Sequence, residues 1–318
     1  MDLTHRRVLV TGAAGFLGSN LVRRLSLEGA DVLALDQRDF SIPSAKCFKA
    51  DILASPSLLS RLVSESEIVF HFAALSSAYM SQEFEYPFTS NVNLLLRVLD
   101  AAARSDTTRR FIFPSSSTVY GESAPPWNED SNVTAPVNWY AASKATGELL
   151  CKHYSQYRNL ETVALRIFCG YGPGEQHKGR YASPPSLFIK EMISGRPPEI
   201  WGDGSQERDL VYIDDIVEAL VLAATSSSYG DTINIGTGSP TSFLDLVSRI
   251  NHILGVSLVP RFIQPKMSKY LQKTVADTTK AERILGFRPK TSLMEGLTKT
   301  IASLRDVSQT SPLPTLGR

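Results

Sequence analysis

Arg7-Val8-Leu9-Val10-Thr11-Gly12-Ala13-Ala14-Gly15-Phe16-Leu17-Gly18 runs from a short apolar strand through a glycine turn into an amphipathic helix. The strand is expected over Arg7 to Val10 and the helix over Phe16 to Leu27, where Leu17, Leu21 and Leu25 share one face. Gly12, Gly15 and Gly18 permit a tight turn, a close backbone approach to a pyrophosphate and close packing of helix on strand. The helix N-terminus adds amide donors and a dipole that favours phosphate. The spacing is Gly-x-x-Gly-x-x-Gly rather than the commoner Gly-x-Gly-x-x-Gly, so a glycine turn without a ligand competes with this reading. Asp36 tips the balance. It closes the next strand, Val32-Leu33-Ala34-Leu35, about 20 residues past the turn, where a carboxylate accepts bonds from the adenosine ribose hydroxyls. That carboxylate repels a 2′-phosphate and favours NAD over NADP, an effect the nearby Arg38 opposes.

Outward from this unit, Ile68-Val69-Phe70-His71-Phe72, Phe111-Ile112-Phe113 and Val163-Ala164-Leu165-Arg166 read as further strands. Helices are expected over Asn91 to Arg104 and Tyr140 to Tyr157. Apolar strands alternating with helices predict an α/β fold, a doubly wound parallel sheet covered on both faces, with its ligand at the carboxyl ends of the strands. Past Gly170 the texture changes, and 171–198 is rich in Gly and Pro, with one helix at Ser186 to Ser194. A turn at Gly202-Asp203-Gly204, a helix at Asp214 to Ala224 and a strand at Thr232 to Ile235 follow. Two more helices are expected at Phe243 to Leu254 and Leu293 to Leu304, before a frayed polar tail from Ser308. This divides the chain into a dinucleotide-binding domain over 1–170, to which 208–236 returns, and a smaller substrate lobe over 171–207 and 237–318.

Composition excludes little but points one way. Lys plus Arg is 33 against 32 for Asp plus Glu, so no strong net field favours nucleic acid or an anionic membrane. No apolar run approaches the roughly 20 residues of a membrane span. The N-terminus leads straight into a buried strand rather than a secretory signal, which predicts a cytoplasmic protein. Cys47, Cys151 and Cys169 lie far apart and give neither a disulfide framework nor a metal-ligand spacing. They read as reduced thiols, and no metal is expected.

The chemistry is read from Tyr140-Ala141-Ala142-Ser143-Lys144. Residues four apart share a helix face, so the phenol and the ammonium reach the same cofactor ribose. A nearby ammonium and a nicotinamide cation stabilise phenolate and draw the tyrosine below its ordinary value of about 10, towards proton transfer near neutral pH. Tyr-x-x-x-Lys arises readily by chance; its weight here comes from the nucleotide-binding half before it and from the strand end Phe113-Pro114-Ser115-Ser116-Ser117-Thr118-Val119-Tyr120-Gly121. A hydroxyl there can bond the reacting substrate oxygen, against the plainer reading of a Ser/Thr turn satisfying its own backbone. His71, in an apolar strand, reads as a hydrogen-bonded core histidine. Trp127 and Trp201 stack on a base or simply pack, and His177, beside Lys178 and Arg180, lies on a flap or a solvated loop.

Jointly these segments resemble the extended short-chain dehydrogenase/reductase family, specifically its NAD-dependent nucleotide-sugar epimerases and dehydratases. Asp51-Ile52, Phe72-Ala73-Ala74, Asn91-Val92, Tyr171-Gly172-Pro173-Gly174, Gly202 to Asp209, Tyr212 to Asp215, Ala276-Asp277 and Leu285 to Pro289 extend the likeness over nearly the whole chain. The resemblance implies that Gly12, Gly15, Phe16, Leu17, Gly18 and Asp36 bind cofactor, with Asp51 at the adenine and Ala73 and Ala74 at the pyrophosphate. It also counts Ile52, Phe72, Asn91, Tyr140 and Lys144 among the cofactor-binding residues, Asn91 supporting the active-site sheet and proton path. Ser116 matches the catalytic hydroxyl, and Tyr140 and Lys144 the acid/base pair. Ser76, Ser116, Ser117, Tyr140 and Cys169 would face substrate, and Arg208 would pair with its diphosphate.

Members that eliminate water or carbon dioxide carry Asp or Glu just after the catalytic hydroxyl, where this chain has Ser117 and Thr118. The resemblance therefore implies a 4-epimerase of a UDP-hexose: Tyr140 takes the 4-hydroxyl proton as hydride passes from C4 to NAD, the 4-keto sugar turns over, and hydride returns to its other face. A 4-ketoreductase or 4,6-dehydratase is the alternative, and a non-catalytic NAD or nucleotide-sugar binding protein is an alternative of another class. The family likeness also implies a homodimer through the helices around 91–104 and 140–157. Two departures bear on the substrate. Cys169 stands where the family has Asn, and Met267-Ser268-Lys269-Tyr270 stands where it has a second diphosphate arginine, leaving Lys266 or Lys269 to replace that charge without a bidentate fork.

Overall fold

The computed structural model describes residues 3–75, 85–131, 136–264 and 271–310. The first half folds into β1 (Arg7–Thr11), α1 (Phe16–Leu27), β2 (Asp31–Asp36), β3 (Lys46–Lys49), α2 (Pro56–Ser64), β4 (Ile68–His71), α3 (Tyr86–Ala103), β5 (Arg110–Ser116), α4 (Trp139–Tyr157) and β6 (Glu161–Ile167). The second half supplies β7 (Cys169–Tyr171), α5 (Pro184–Ile193), β8 (Glu199–Trp201), β9 (Glu207–Tyr212), α6 (Ile213–Thr225), β10 (Asp231–Ile235), β11 (Pro240–Ser242), α7 (Phe243–Leu254), β12 (Arg261–Ile263), β13 (Lys273–Thr274), α8 (Thr279–Leu285) and α9 (Leu293–Thr310).

Seven strands make one sheet in the order β10-β6-β5-β4-β1-β2-β3, and every pairing in it is parallel. Alternate residues serve opposite faces: on β1, Leu9 joins a core with Leu95, Leu99 and Phe111, while Val8 and Val10 join another with Leu21, Leu25 and Ile112. Both faces are dry, which is why these strands read as unbroken apolar runs. Strand order reverses between β1 and β4, so Thr11, Asp36, His71 and Ser116 end their strands along one edge, beside the switch point where such folds bind ligands. The doubly wound parallel sheet expected from the sequence is what the chain forms.

A smaller sheet has the order β11-β9-β13, with β7 pairing on β9. Asp209, fully buried on β9, knits it together by accepting the backbone N–H groups of Thr237 (2.7 Å), Gly238 (2.9 Å) and Ala276 (3.0 Å). Some elements were not anticipated: β3 is a four-residue edge strand whose two lysines face solvent, and α2 starts on Pro56 behind Ser55 with Leu59, Leu62 and Val63 buried. The last helix continues to Thr310, past the expected end at Leu304. No helix among the described residues is long and apolar enough to cross a membrane.

Candidate active site

The glycine turn is built by exclusion. Gly12 adopts φ +68°, and a β-carbon there would come within 2.6 Å of the Ala73 nitrogen and the Phe72 carbonyl carbon. At Gly18 a β-carbon would meet the Gly12 carbonyl oxygen at 2.3 Å, so α1 begins directly over the turn. Gly15 caps α1 with no side chain, leaving the first-turn amides of Phe16 and Leu17 as the donors an anion would use. Asp36, 7% exposed, accepts the Ala14 N–H (3.0 Å) and the Arg38 N–H (2.9 Å), and the half-exposed Arg38 guanidinium pairs with it at 3.2 Å. Asp51 is exposed and accepts the Leu53 N–H, with Ile52 buried beside it, just past the end of β3. Phe72 and Ala73 follow β4 and run back against the turn: their N–H groups donate to the Thr11 carbonyl (3.0 Å) and hydroxyl (3.4 Å). Ala74 continues the same half-buried segment. This turn, short of side chains and carrying a carboxylate at the next strand end, fits the pyrophosphate and ribose of a dinucleotide.

Across the same edge stands a corner made of side chains. Asn138 sits in extended conformation and its side-chain oxygen accepts the Ala141 N–H at 2.8 Å, so α4 starts with Tyr140 in its first turn. The Tyr140 hydroxyl bonds Ser116. Burial pushes the phenol up to about 12, with the Ser116 bond opposing. This differs from the lowered value expected from the Tyr-x-x-x-Lys spacing, because burial penalises the phenolate more than the Ser116 bond favours it. Ser116 ends β5 and accepts from the Thr118 N–H (3.3 Å) and hydroxyl (3.0 Å), capping a 3-10 turn that buries Ser117. One turn along α4, Lys144 is buried, donates to the Pro114 carbonyl at 2.7 Å and lies 4.7 Å from the Phe113 ring centroid. Burial pulls its ammonium down to about 8. Gly147 lets α4 approach this closely, since a β-carbon there would fall 2.4 Å from the Phe113 ring.

Two groups tie corner to cradle. Asn91 on α3 accepts the Leu75 N–H (2.7 Å) and donates to the Leu75 carbonyl and the Ser143 hydroxyl (both 3.1 Å), and Ser143 donates to the Tyr140 carbonyl at 2.7 Å. His71 lies with Nδ1 2.9 Å from the Thr11 hydroxyl. Burial first, and then the Lys144 charge, depress His71 to about 3, so it is the neutral core histidine its strand predicted.

β7 pairs with β9, setting Cys169 opposite Leu210, two residues from Arg208. Burial pushes the Cys169 thiol up to about 12, with Arg208 the foremost opposing charge, and a neutral thiol results. Arg208 donates to the Glu207 carbonyl at 2.8 Å and lies 5.4 Å from the Phe243 ring centroid. Ser76 and 266–270 lie outside the described residues, as does the side chain of His177. Trp127 is buried against Tyr120 and Phe168.

Sequence reasoning missed several supports. Glu175, 2% exposed, gathers Lys178 (2.7 Å), Ser183 (2.5 Å) and Ser186 (2.6 Å), and Lys178 in turn sits 4.4 Å from the Phe16 ring centroid. Behind Lys144, Glu148 and Arg166 form a buried pair. Their signals were slight: a glutamate four residues after the lysine, and an arginine inside an apolar strand.

With this geometry in view, residues 8–236 match the model of the NAD dependent epimerase/dehydratase family. The chain is 36% identical to a UDP-glucose 4-epimerase of Mycolicibacterium smegmatis, over 95% of this chain and 100% of that one. Among solved structures it is similar to the UDP-glucose 4-epimerase of Thermotoga maritima with UDP-glucose, at TM-score 0.88 and 30% identity, covering 95% of this chain and 99% of that one. The UDP-glucuronic acid 4-epimerase of Bacillus cereus, in complex with UDP-glucuronic acid and NAD, is similar at TM-score 0.85 and 30% identity over 95% and 99%. A family match spanning well over half the sequence, on a fold and a strand-end site of this kind, leaves one assignment: the chain belongs to the NAD-dependent epimerase/dehydratase family.

Proposed function

We propose that the protein is a nucleotide-sugar 4-epimerase that works through a transient 4-keto sugar on a UDP-hexose. The observation that carries this is the meeting of Ser116 and Tyr140 by a hydrogen bond, one helical turn from Lys144, at the strand edge that holds the glycine turn. NAD fits the cradle. Gly12, Gly15, Phe16, Leu17 and Gly18 would hold its pyrophosphate with Phe72, Ala73 and Ala74, Asp36 its adenosine ribose, Asp51 and Ile52 its adenine, and Tyr140 and Lys144 the nicotinamide ribose. The chemistry it supplies when bound is reversible hydride transfer at the sugar C4.

The remaining work falls to side chains. Tyr140 takes the proton of the 4-hydroxyl and later returns it, while Ser116 bonds the same oxygen. The phenol stands near 12 in the protein alone, and positive charge beside it brings it towards neutrality. Lys144 supplies part of that charge, which it holds below about pH 8. Neither Ser117 nor Thr118 can act as an additional acid, so the two positions after Ser116 supply none for elimination. Arg208 is the residue for the substrate diphosphate. Resolving products by NMR after incubation with UDP-glucose, UDP-N-acetylglucosamine and UDP-glucuronate tests the reading. Epimer pairs at C4 are expected; net consumption of reduced cofactor or a 4-keto-6-deoxy product would replace it with a reductase or a dehydratase.

A homodimer through α3 and α4 belongs to the same proposal. Trp139, Leu149 and Tyr157 on α4 are 42%, 70% and 72% exposed, and Tyr86 on α3 is 69% exposed. Large apolar groups gathered on two adjacent helices are what a second copy would cover. Light scattering that finds monomer at micromolar concentration would remove it. The three separate free thiols support a reducing, cytoplasmic setting.

A further inference from the structure

Glu148 follows Lys144 by one helical turn on the inner face of α4 and is 9% exposed. Its carboxylate takes both arms of Arg166, at 3.0 Å from Nε and 2.8 Å from Nη2, and also the Ser115 hydroxyl. Ser115 and Arg166 face each other in the register of β5 and β6. Ser115 lies between Pro114, whose carbonyl accepts Lys144, and Ser116, which bonds Tyr140. One carboxylate therefore joins α4, β5 and β6 directly beneath the proton-transfer residues. Arg166 Nη1 finds no hydrogen-bond acceptor among the described residues, and its guanidinium lies 4.6 Å from the Tyr120 ring centroid.

We propose that Glu148 is a positioning residue for the proton-transfer pair, fixing Lys144 and Ser116 relative to Tyr140 through Ser115 and supplying the buried negative charge that balances Lys144 and Arg166. The inference rests on the epimerase reading of Tyr140 and Lys144. It follows from what faces the Lys144 ammonium. On α4 these are Tyr140, Glu148 and Cys151, whose thiol burial keeps neutral, well above its ordinary value. From β4 comes His71, neutral down to about pH 3 through burial and then Lys144 itself. From β6 comes the Arg166 cation behind Glu148, and from β5 the Pro114 carbonyl and the uncharged serines. From α3 comes uncharged Asn91; Asp100 is occupied by Tyr154, roughly 15 Å farther along α4 at 1.5 Å per residue. Near neutral pH, Glu148 is thus the negative charge facing Lys144 among the described residues. Burial draws Lys144 down to about 8, opposed by Cys151 and Glu148, of which burial keeps the Cys151 thiol neutral.

Removing the carboxylate while keeping its shape leaves two cations uncompensated, which disfavours lysinium and favours phenolate. Both titrations of the coupled pair then move to lower pH. The test is Glu148→Gln with NAD saturating, read as the tyrosinate absorbance that Tyr140→Phe abolishes, and as the pH profile of turnover. We expect both to shift to acid by on the order of half to one pH unit, a loss of roughly three- to tenfold on the alkaline limb, with KM for the sugar nucleotide unchanged. Glu148→Asp, which keeps the charge, returns the titration towards wild type. The double variant E148Q/R166M, which removes the carboxylate together with one of the two cations it faces, folds where the single variant fails and also returns most of the way. A Gln titration superimposed on wild type beside a lowered Tm overturns the proposal, as does a double variant displaced as far as the single one. Because the tyrosinate signal needs no turnover, a shift in an enzyme that epimerises nothing sinks the functional reading alone, and an active enzyme whose titration stays put sinks this one alone.

Discussion

The cradle and the corner share one sheet edge and are made of opposite materials. Around Gly12 and Gly18 the geometry comes from atoms that are missing: a β-carbon at either position would lie 2.6 Å or less from backbone. Around Tyr140 it comes from side chains that titrate, with burial lifting the phenol to about 12 and lowering Lys144 to about 8. The difference teaches how each half should fail. Backbone contacts have nowhere to move, so the cradle fails by sterics and all at once, whereas the corner loses charge or proton capacity while its frame persists.

Two substitutions separate these modes. Gly18→Ala drives a methyl group to 2.3 Å from the Gly12 oxygen, and neither atom belongs to a flexible side chain. We expect no dinucleotide retained in native mass spectrometry and a stability loss of about 3 kcal/mol or more; normal cofactor retention would break the comparison. Tyr140→Phe removes one oxygen and no packing. Turnover should fall by about 10² to 10⁴ with Tm near wild type, while cofactor retention should fall far less than in Gly18→Ala. A parallel loss of cofactor would mean the phenol holds the frame as well as the proton.

His71 belongs to both regions, bonded to Thr11 on one side and sensing Lys144 on the other. Its folded value near 3 lies below its ordinary 6.5, through burial and then the lysine charge. The unfolded chain therefore binds this proton first. The resulting stability is complete above about pH 6.5 and is lost as pH falls towards 3, at up to about 1.4 kcal/mol per unit. Denaturant midpoints measured across that window should decline in wild type and flatten in His71→Asn, whose amide keeps a partner for Thr11. An equally steep decline in both would move the acid sensitivity onto other groups.

The same contrast explains what could be read from sequence. Glycine at 12 and 18 is a statement about space, and apolar runs such as Phe111-Ile112-Phe113 are a statement about two dry faces; both are local and were legible. The Tyr140–Lys144 spacing was legible too, because one helical turn is local. Depth was not: nothing in the pentapeptide says that Lys144 will meet the Pro114 carbonyl or that burial will raise the phenol. Glu148 gained its partners through the pairing of Ser115 with Arg166, residues about fifty apart that only a finished sheet brings level. Glu175 sits in a Gly- and Pro-rich stretch with no period to betray it, and its buried ring of partners forms only once that stretch folds back on α1.

The smallest expected effect tests whether the corner's frame and its charge can be told apart. Asn138 caps α4 two residues before Tyr140, and Asn138→Ala should cost about 1 kcal/mol in stability. It should also cost activity beyond that figure, because the frayed turn is the one that aims the phenol. Asn138→Ser and Asn138→Asp both restore a cap acceptor. They part company on charge: a carboxylate near the phenol disfavours phenolate, so the Asp variant should recover stability yet carry its acidic limb to higher pH. The Ser variant should recover both. If Asp and Ser gave the same pH profile, the cap would be acting on position alone, and the electrostatics of this corner would have to be assigned to Lys144 and the groups behind it.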